Sequence, residues 1–511
     1  MKKLYVIITV LLVGLAFLFQ GSRGIWQPDE GYYVGTAVTM MEKQTLLIPY
    51  LGEDDVFLDK PPLVYWCIIA GLKLFGHSEF AVRFFHGVSF LLTALLTGFI
   101  GWELFKDKTV GMLAIFIYST MVVPFIAANF ITPDTLLTLW TTLAMLCFWK
   151  SIEPHGRKAL WQMFLCMAIG MGFLAKGPAV LIPCLGAFVF LAVRGQLVRY
   201  FQISWLIAGL GLFIVIGLGW YIWIGIKIPA SFSYFFDSQI WGRLVSERYR
   251  RNPGLSGALI YLPVLIFGSL PWSVIWIEKR ALIGKTLLLK NFWKTLADRP
   301  AVLLLLCWFF VPLLILCLAS SKLGLYLLPL FPAVATLTAK LWKEKLFSAD
   351  VVHIKTFVRP AIFCCIWVVL LILSKLALAY YPTANDMKAL WTHLHNQLPN
   401  TNYEIGTIDK RADGLLFYGI KEIEHLTIES DPYPTFLGTE NMSDEIREMI
   451  NEKEVGLFLV QGDERIQNVC NIIKNTSIDF RIIKLPYQRA LLVLKLDTVD
   501  NDTRMPEKTV Q

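Results

Sequence analysis

The sequence predicts a polytopic α-helical membrane protein that ends in a small α/β domain outside the membrane, and three observations carry that reading. Of the 511 residues 56% are hydrophobic and only 17% charged, with a mean hydropathy of +0.57, far from the soluble globular average. Apolar runs of about 17 to 24 residues recur almost to Tyr380, each long enough at about 1.5 Å per residue to cross about 30 Å of hydrocarbon. After Pro382 the hydropathy falls and short mixed segments replace the runs.

The runs lie near 4–20, 84–104, 109–128, 134–150, 159–175, 177–193, 203–226, 256–277, 301–319, 323–340 and 359–381, which predicts about 11 to 13 spans. Met1-Lys2-Lys3 before the first run imitates a signal peptide, but no small-x-small cleavage site follows cleanly, so the run is read as a retained anchor. A long loop, 21–83, follows it. There Tyr32 to Lys43 and Leu63 to Phe75 are amphipathic enough for interfacial helices, the second opening after Pro61-Pro62. A second loop, 227–255, is aromatic (Phe232, Tyr234, Phe235, Phe236, Trp241) and then basic (Arg243, Arg248, Arg250, Arg251). In the tail, strands are predicted at Glu404 to Ile408, Ile423 to Ile428, Val455 to Val460, Phe480 to Leu485 and Ala490 to Leu494, and helices at Met387 to Gln397 and Ser443 to Glu452. The domains are therefore drawn as 1–381 and 382–511.

The net charge of +8 matters less than where Lys and Arg fall. A cytoplasmic amino terminus places Lys106/Lys108, Arg157/Lys158, Arg194/Arg199, Lys279 to Arg299 and Lys340 to Lys355 inside, as the positive-inside rule prefers, and an odd span count sends the tail outside. The same assignment leaves Lys60, Lys176, Arg243 and Lys322 on the outer side, where orientation rules disfavour them and an anionic ligand would explain them. No soluble basic domain points to nucleic acid. The nine cysteines lie mostly in apolar runs, without the spacing of a disulfide framework or a metal site.

Asp29 and Glu30 follow Gln27-Pro28 at the outer mouth of the first span. A carboxylate near a low-dielectric interface is costly unless paired, hydrated or used; beside an acceptor hydroxyl it suits a general base, and alternatively one of the two caps the following helix. Lys60, between Asp59 and Pro61-Pro62, is a point charge suited to phosphate or a snorkelling lysine. Asp134, in Thr132-Pro133-Asp134, serves a site or a helix start equally well. Lys176, at the Gly177-Pro178 break between two apolar runs, suggests a lined cavity. Lys322 and Tyr326 add a cation and a hydroxyl, and Arg243 a guanidinium able to bind phosphate through paired donors.

Pro28-Asp29-Glu30-Gly31-Tyr32-Tyr33, Phe57-Leu58-Asp59-Lys60-Pro61-Pro62, Gly76-His77-Ser78-Glu79-Phe80-Ala81-Val82-Arg83, Leu174-Ala175-Lys176-Gly177-Pro178 and Leu323-Gly324-Leu325-Tyr326-Leu327-Leu328-Pro329 closely resemble the lipid A aminoarabinose transferases, members of the protein-mannosyltransferase-like GT-C glycosyltransferases. The resemblance spans the membrane part in order. It implies a GT-C fold with a periplasmic tail, a bacterial inner-membrane location, a sugar donor on undecaprenyl phosphate, and transfer to a lipid or glycan acceptor with inversion. It matches Asp29 to the family's essential aspartate, Lys60 to a lysine that approaches the donor phosphate, and Lys176, Arg243 and Tyr326 to further cavity residues, with Asp134 where the family carries another acidic residue. Taken with the residues themselves, the expected site has Asp29 and Glu30 as catalytic carboxylates, Lys60, Arg243 and Lys176 at the donor phosphate, and Tyr33, Asp59, Asp134, Lys322 and Tyr326 along the substrate cavity. The chain departs from the pattern at Tyr32, where the family usually carries arginine, at Asp59, where it carries glutamate, and at Asp237 to Gly242, which lacks the family's histidine. No metal or other cofactor is therefore expected to be required, and the sugar stays open. Transfer to protein Ser/Thr is the alternative within the enzymes. A lipid-linked-sugar transporter would instead place its charges near the midplane and show repeats.

Overall fold

The structure, a computed structural model, describes the chain apart from residues 1, 53–55, 154–156, 202, 243–250, 280–295, 348–353, 398–403, 429–439, 443, 448–455, 475–477 and 496–511. It divides into two compact units: Met1–Arg23, Leu46–Ile48 and Leu58–Tyr381 form one, and Gly24–Thr45, Pro49–Phe57 and Pro382–Gln511 the other.

The first unit is helical. Seven of its described helices are long and apolar enough to cross a membrane, or nine if the bent pairs Lys108–Thr120 with Val122–Ala128 and Ser256–Gly268 with Ser273–Lys279 each count as one. Lys158–Val193, counted once, covers two of the predicted runs, and the first run yields only the short apolar helix Val6–Phe17. This is a polytopic helical membrane fold. Helix Pro133–Ile152 shows how its charges are laid out: Asp134 lies in its first turn, while beyond its last turn Glu153 pairs with Lys106 at 2.9 Å. Twenty residues separate those ends by about 30 Å. Lys343 pairs with Asp107 next to Lys106. Segments assigned to one side by basic residues thus meet at one end of the unit.

The second unit contains a six-stranded sheet, β1 (Glu404–Ile408), β2 (Glu422–Thr427), β3 (Glu440–Asn441), β4 (Leu457–Gln461), β5 (Asp479–Leu485) and β6 (Arg489–Lys495), in the order β3-β2-β1-β4-β6-β5. β1 runs parallel to β2 and β4, whereas β6 is antiparallel to both β4 and β5. Parallel neighbours need crossovers. A 3-10 turn, Asp413–Tyr418, lies between β1 and β2, and helix Asp463–Lys474 packs Val469 and Ile473 against Ile408, Phe458, Val460 and Leu492. The short strand β3, the 3-10 turn and helix Asp463–Lys474 were not anticipated from sequence. Most of the predicted Ser443 to Glu452 helix lies outside the described residues.

A linear cut at 381 misses one feature: part of the first loop folds with the tail. The Gln27 N–H donates to the Asn385 carbonyl at 2.8 Å and the Met387 N–H to the Ile25 carbonyl at 2.9 Å, an antiparallel bridge centred on Trp26 and Asp386. The helix expected at Tyr32 to Lys43 runs Asp29–Glu42 and buries Glu30, Gly31 and every residue from Tyr33 to Met40. Amphipathicity alone suggested a lipid interface for this helix; a protein surface meets the same need.

Candidate functional site

In the helical unit, Thr132 caps helix Pro133–Ile152 by accepting the Asp134 N–H, and Pro133 occupies the first turn without needing a donor. Capping therefore falls to Thr132, and the Asp134 carboxylate is used elsewhere. Its Oδ1 lies 2.5 Å from Lys176 Nζ, and its Oδ2 accepts the Thr132 hydroxyl at 2.9 Å. Lys176 ends helix Lys158–Lys176 because Gly177 turns at φ +61°, the left-handed region glycine tolerates. The Lys176 ammonium also lies 4.6 Å from the Tyr326 ring centroid. Three predicted residues, Asp134, Lys176 and Tyr326, are thus brought together. Asp134 is buried and Lys176 largely so, so Lys176→Met is expected to destabilise the unit by about 3–5 kcal/mol by stranding Asp134. Asp134→Asn combined with Lys176→Met should recover much of that loss in thermal melting.

The second pair is Asp59–Lys60. Lys60 is buried, with Nζ on the Asp59 carboxylate and 3.0 Å from the Asp59 carbonyl, so it does not snorkel outward. The other Asp59 oxygen accepts Gln239 Nε2 at 2.9 Å, and the same nitrogen donates to the Tyr234 hydroxyl at 2.8 Å. Rings connect this pair towards Lys176: Tyr234 to Phe235 at 6.0 Å, Phe235 to Tyr221 at 5.0 Å and Tyr221 to Phe173 at 5.4 Å. Lys322, 1% exposed, turns onto backbone, donating to the Ala319 carbonyl at 2.6 Å. Arg243 lies outside the described residues.

In the second unit the Asp29-Glu30 pair splits. Glu30 is 1% exposed and its Oε2 accepts the Trp26 N–H at 3.0 Å, pinning the turn before the helix. Asp29 is exposed, and the N-cap residue of this helix, Pro28, makes no side-chain capping bond. Tyr33 is buried one turn along. The residues around this turn were not found from sequence. The Gln27 amide donates to Asp413 Oδ2 at 2.8 Å and accepts the Gly414 N–H at 3.2 Å. Gly31 makes this possible, because a Cβ there would fall on the Gln27 amide. Arg411 Nη2 donates to Asp413 Oδ1 at 3.1 Å, and the guanidinium lies 5.0 Å from the Tyr32 ring, the position where the resemblance departs.

His425 completes the cluster, with Nε2 2.9 Å from Asp413 Oδ1 and Nδ1 2.9 Å from the Thr407 hydroxyl. That hydroxyl also lies 3.0 Å from the Glu424 carbonyl, to which it can donate, so both ring nitrogens sit within hydrogen-bond distance of oxygens. Burial alone would push the Asp413 carboxyl up; Arg411 and His425 beside it outweigh this and hold it well below the usual carboxylate range. Only the adjacent Arg411-Ala412-Asp413 triplet hinted at this cluster, because His425 lies 12 residues on, in β2, and Gln27 lies 386 residues away in sequence.

Residues 59–223, which include both Lys–Asp pairs, match the family described as dolichyl-phosphate-mannose-protein mannosyltransferase. The chain is 31% identical over 347 residues, 66% of its own length and 59% of the relative's, to undecaprenyl phosphate-alpha-4-amino-4-deoxy-L-arabinose arabinosyl transferase 2 of Proteus mirabilis. It is 30% identical over 384 residues to the corresponding transferase of an Enterobacter species, covering 73% of this chain and 66% of that one. It thus spans about three fifths to two thirds of these curated relatives. The crystal structure of ArnT from Cupriavidus metallidurans bound to undecaprenyl phosphate matches with a TM-score of 0.75 at 17% identity, covering 96% of this chain and 97% of that one. At that identity the likeness shows a shared fold.

Proposed function

The chain is an aminoarabinose-transferase-like member of the protein-mannosyltransferase-like GT-C membrane glycosyltransferases, and from that membership we propose that it moves a sugar from undecaprenyl phosphate to lipid A or another envelope lipid or glycan. Transfer takes place on the periplasmic face of a bacterial inner membrane, with the amino terminus cytoplasmic. The observation that carries this reading is the pair of ammonium–carboxylate contacts, Lys60 with Asp59 and Lys176 with Asp134, inside the matched segment. An ammonium has three donors, so one that rests on a carboxylate can also donate to a phosphate.

In the proposed reaction the acceptor oxygen forms a bond to the anomeric carbon as the bond from that carbon to the phosphate oxygen breaks, and a single displacement inverts the centre. Charge grows on the departing undecaprenyl phosphate. Lys60 and Lys176, with Arg243, stabilise it, the electrostatic contribution that is often the largest in such steps. Asp29 takes the proton of an acceptor hydroxyl; if the acceptor is a phosphate, already anionic, Asp29 orients it.

The test is purified protein in proteoliposomes with a panel of undecaprenyl-phosphate sugars and envelope lipids, products read by mass spectrometry. A mass-shifted acceptor, absent with Asp29→Asn, supports the reading and names both substrates. A sugar on a peptide Ser/Thr would move the acceptor class to protein, and lipid movement without transfer would overturn the enzyme. Because the Asp237 to Trp241 stretch offers no histidine, we expect transfer to persist in EDTA at its untreated rate. A loss restored by a divalent ion would reverse that expectation.

A further inference from the structure

Resting on the reading of Asp29 as the acceptor-handling carboxylate, we infer that the C-terminal domain sets the position of Asp29 by clamping the Gln27 side chain on Asp413, which makes Gln27, Asp413, Arg411 and His425 positioning residues for transfer. Asp29 is the first residue of its helix, so its backbone continues directly from the turn at Gln27 and Pro28. The tail holds that backbone. The Ile25 N–H donates to the Tyr418 hydroxyl at 3.0 Å, and both N–H and carbonyl groups around Trp26 pair with residues 385–387.

The Gln27 amide is fixed at both ends, its NH2 on Asp413 and its oxygen on the Gly414 N–H. An amide with donor and acceptor both engaged has one orientation. Asp413 is itself unable to swing, since Arg411 grips it at 3.1 and 3.3 Å and His425 at 2.9 Å. His425 is anchored in turn on Thr407 of β1. The chain of contacts therefore runs from the central sheet through His425, Asp413 and Gln27 to the turn that presents Asp29. A buried charge cluster is weak evidence for stability as such, whereas a geometric constraint two residues from a reacting group has a direct use: a displacement of about 1 Å can cost about 100-fold in rate.

Two variants loosen this clamp in different ways. Gln27→Leu removes the amide, and Gly31→Ala displaces it while leaving every polar atom in the protein. With the full chain in proteoliposomes, undecaprenyl phosphate-linked 4-amino-4-deoxy-L-arabinose as donor and lipid A as acceptor, each is expected to lower kcat roughly 10- to 100-fold with donor KM unchanged. Combining them should add little, and Gln27→Leu should not lower the residual rate of Asp29→Asn, because all act through one group. Hydrogen exchange, which needs no substrate, should quicken over residues 27–33 in both variants while β1 and β4 keep their protection. Wild-type exchange there, wild-type kcat in both variants, or losses that multiply with Asp29→Asn would overturn the inference. Asp29→Asn at the wild-type rate would instead remove the reading beneath it.

Discussion

Asn at position 29 is expected to lower transfer by about 10²- to 10⁴-fold, the range a positioned general base contributes. The substitution keeps size and shape at an exposed residue, so the protein should fold and bind donor as before. The discriminating measurement is kcat against pH. If Asp29 removes a hydroxyl proton, the acid limb of the wild-type profile disappears in the variant; if it only orients an anionic acceptor, the rate falls without that change. Glu30→Gln is the internal control. Its oxygen can still accept the Trp26 N–H, so a small effect is expected although the two carboxylates are adjacent. A wild-type rate in Asp29→Asn would remove this residue from the mechanism.

Asp413→Asn should destabilise the second unit by about 3–5 kcal/mol, the range for removing one partner of a buried ion pair. Size is conserved, but Arg411 loses its counter-ion and His425 its carboxylate partner. Acid should mimic the variant. The folded Asp413 carboxyl is depressed, so its contribution is fully present above the unfolded value of about 3.9 and is lost as the pH falls below that towards the depressed folded value. The expected result is faster hydrogen exchange across β1 and β2 in the variant at neutral pH, and a difference between variant and wild type that shrinks as the pH falls below about 4. Exchange in the helical unit should not change. Equal protection in both proteins at neutral pH would mean that the cluster contributes nothing net.

Local signals were legible where one segment carries them whole. A run of apolar residues determines a helix in lipid without help from distant residues, since only internal hydrogen bonding satisfies its backbone there, and the long helices fall on the predicted runs. Five tail strands fall within two residues of their predicted positions because alternation and β-branching are local too. The two-residue strand β3 carries too little pattern to be seen. Thr132-Pro133 announced a helix start, and Gly177-Pro178 announced a break at Lys176, since each depends on the backbone preferences of adjacent residues.

What the sequence determined by itself was the class of molecule, the residue types available for phosphate chemistry, and the family. What only the tertiary structure decided was which charges meet. Asp134 and Lys176 are 42 residues apart and pair; Gln27 and Asp413 are 386 apart and share a hydrogen bond. The same holds for the division of labour within Asp29-Glu30, where one carboxylate is exposed and the other is buried on a backbone N–H. Neighbouring residues read alike in sequence because burial and hydrogen-bond partners are properties of the surrounding surface. Part of that surface comes here from the far end of the chain.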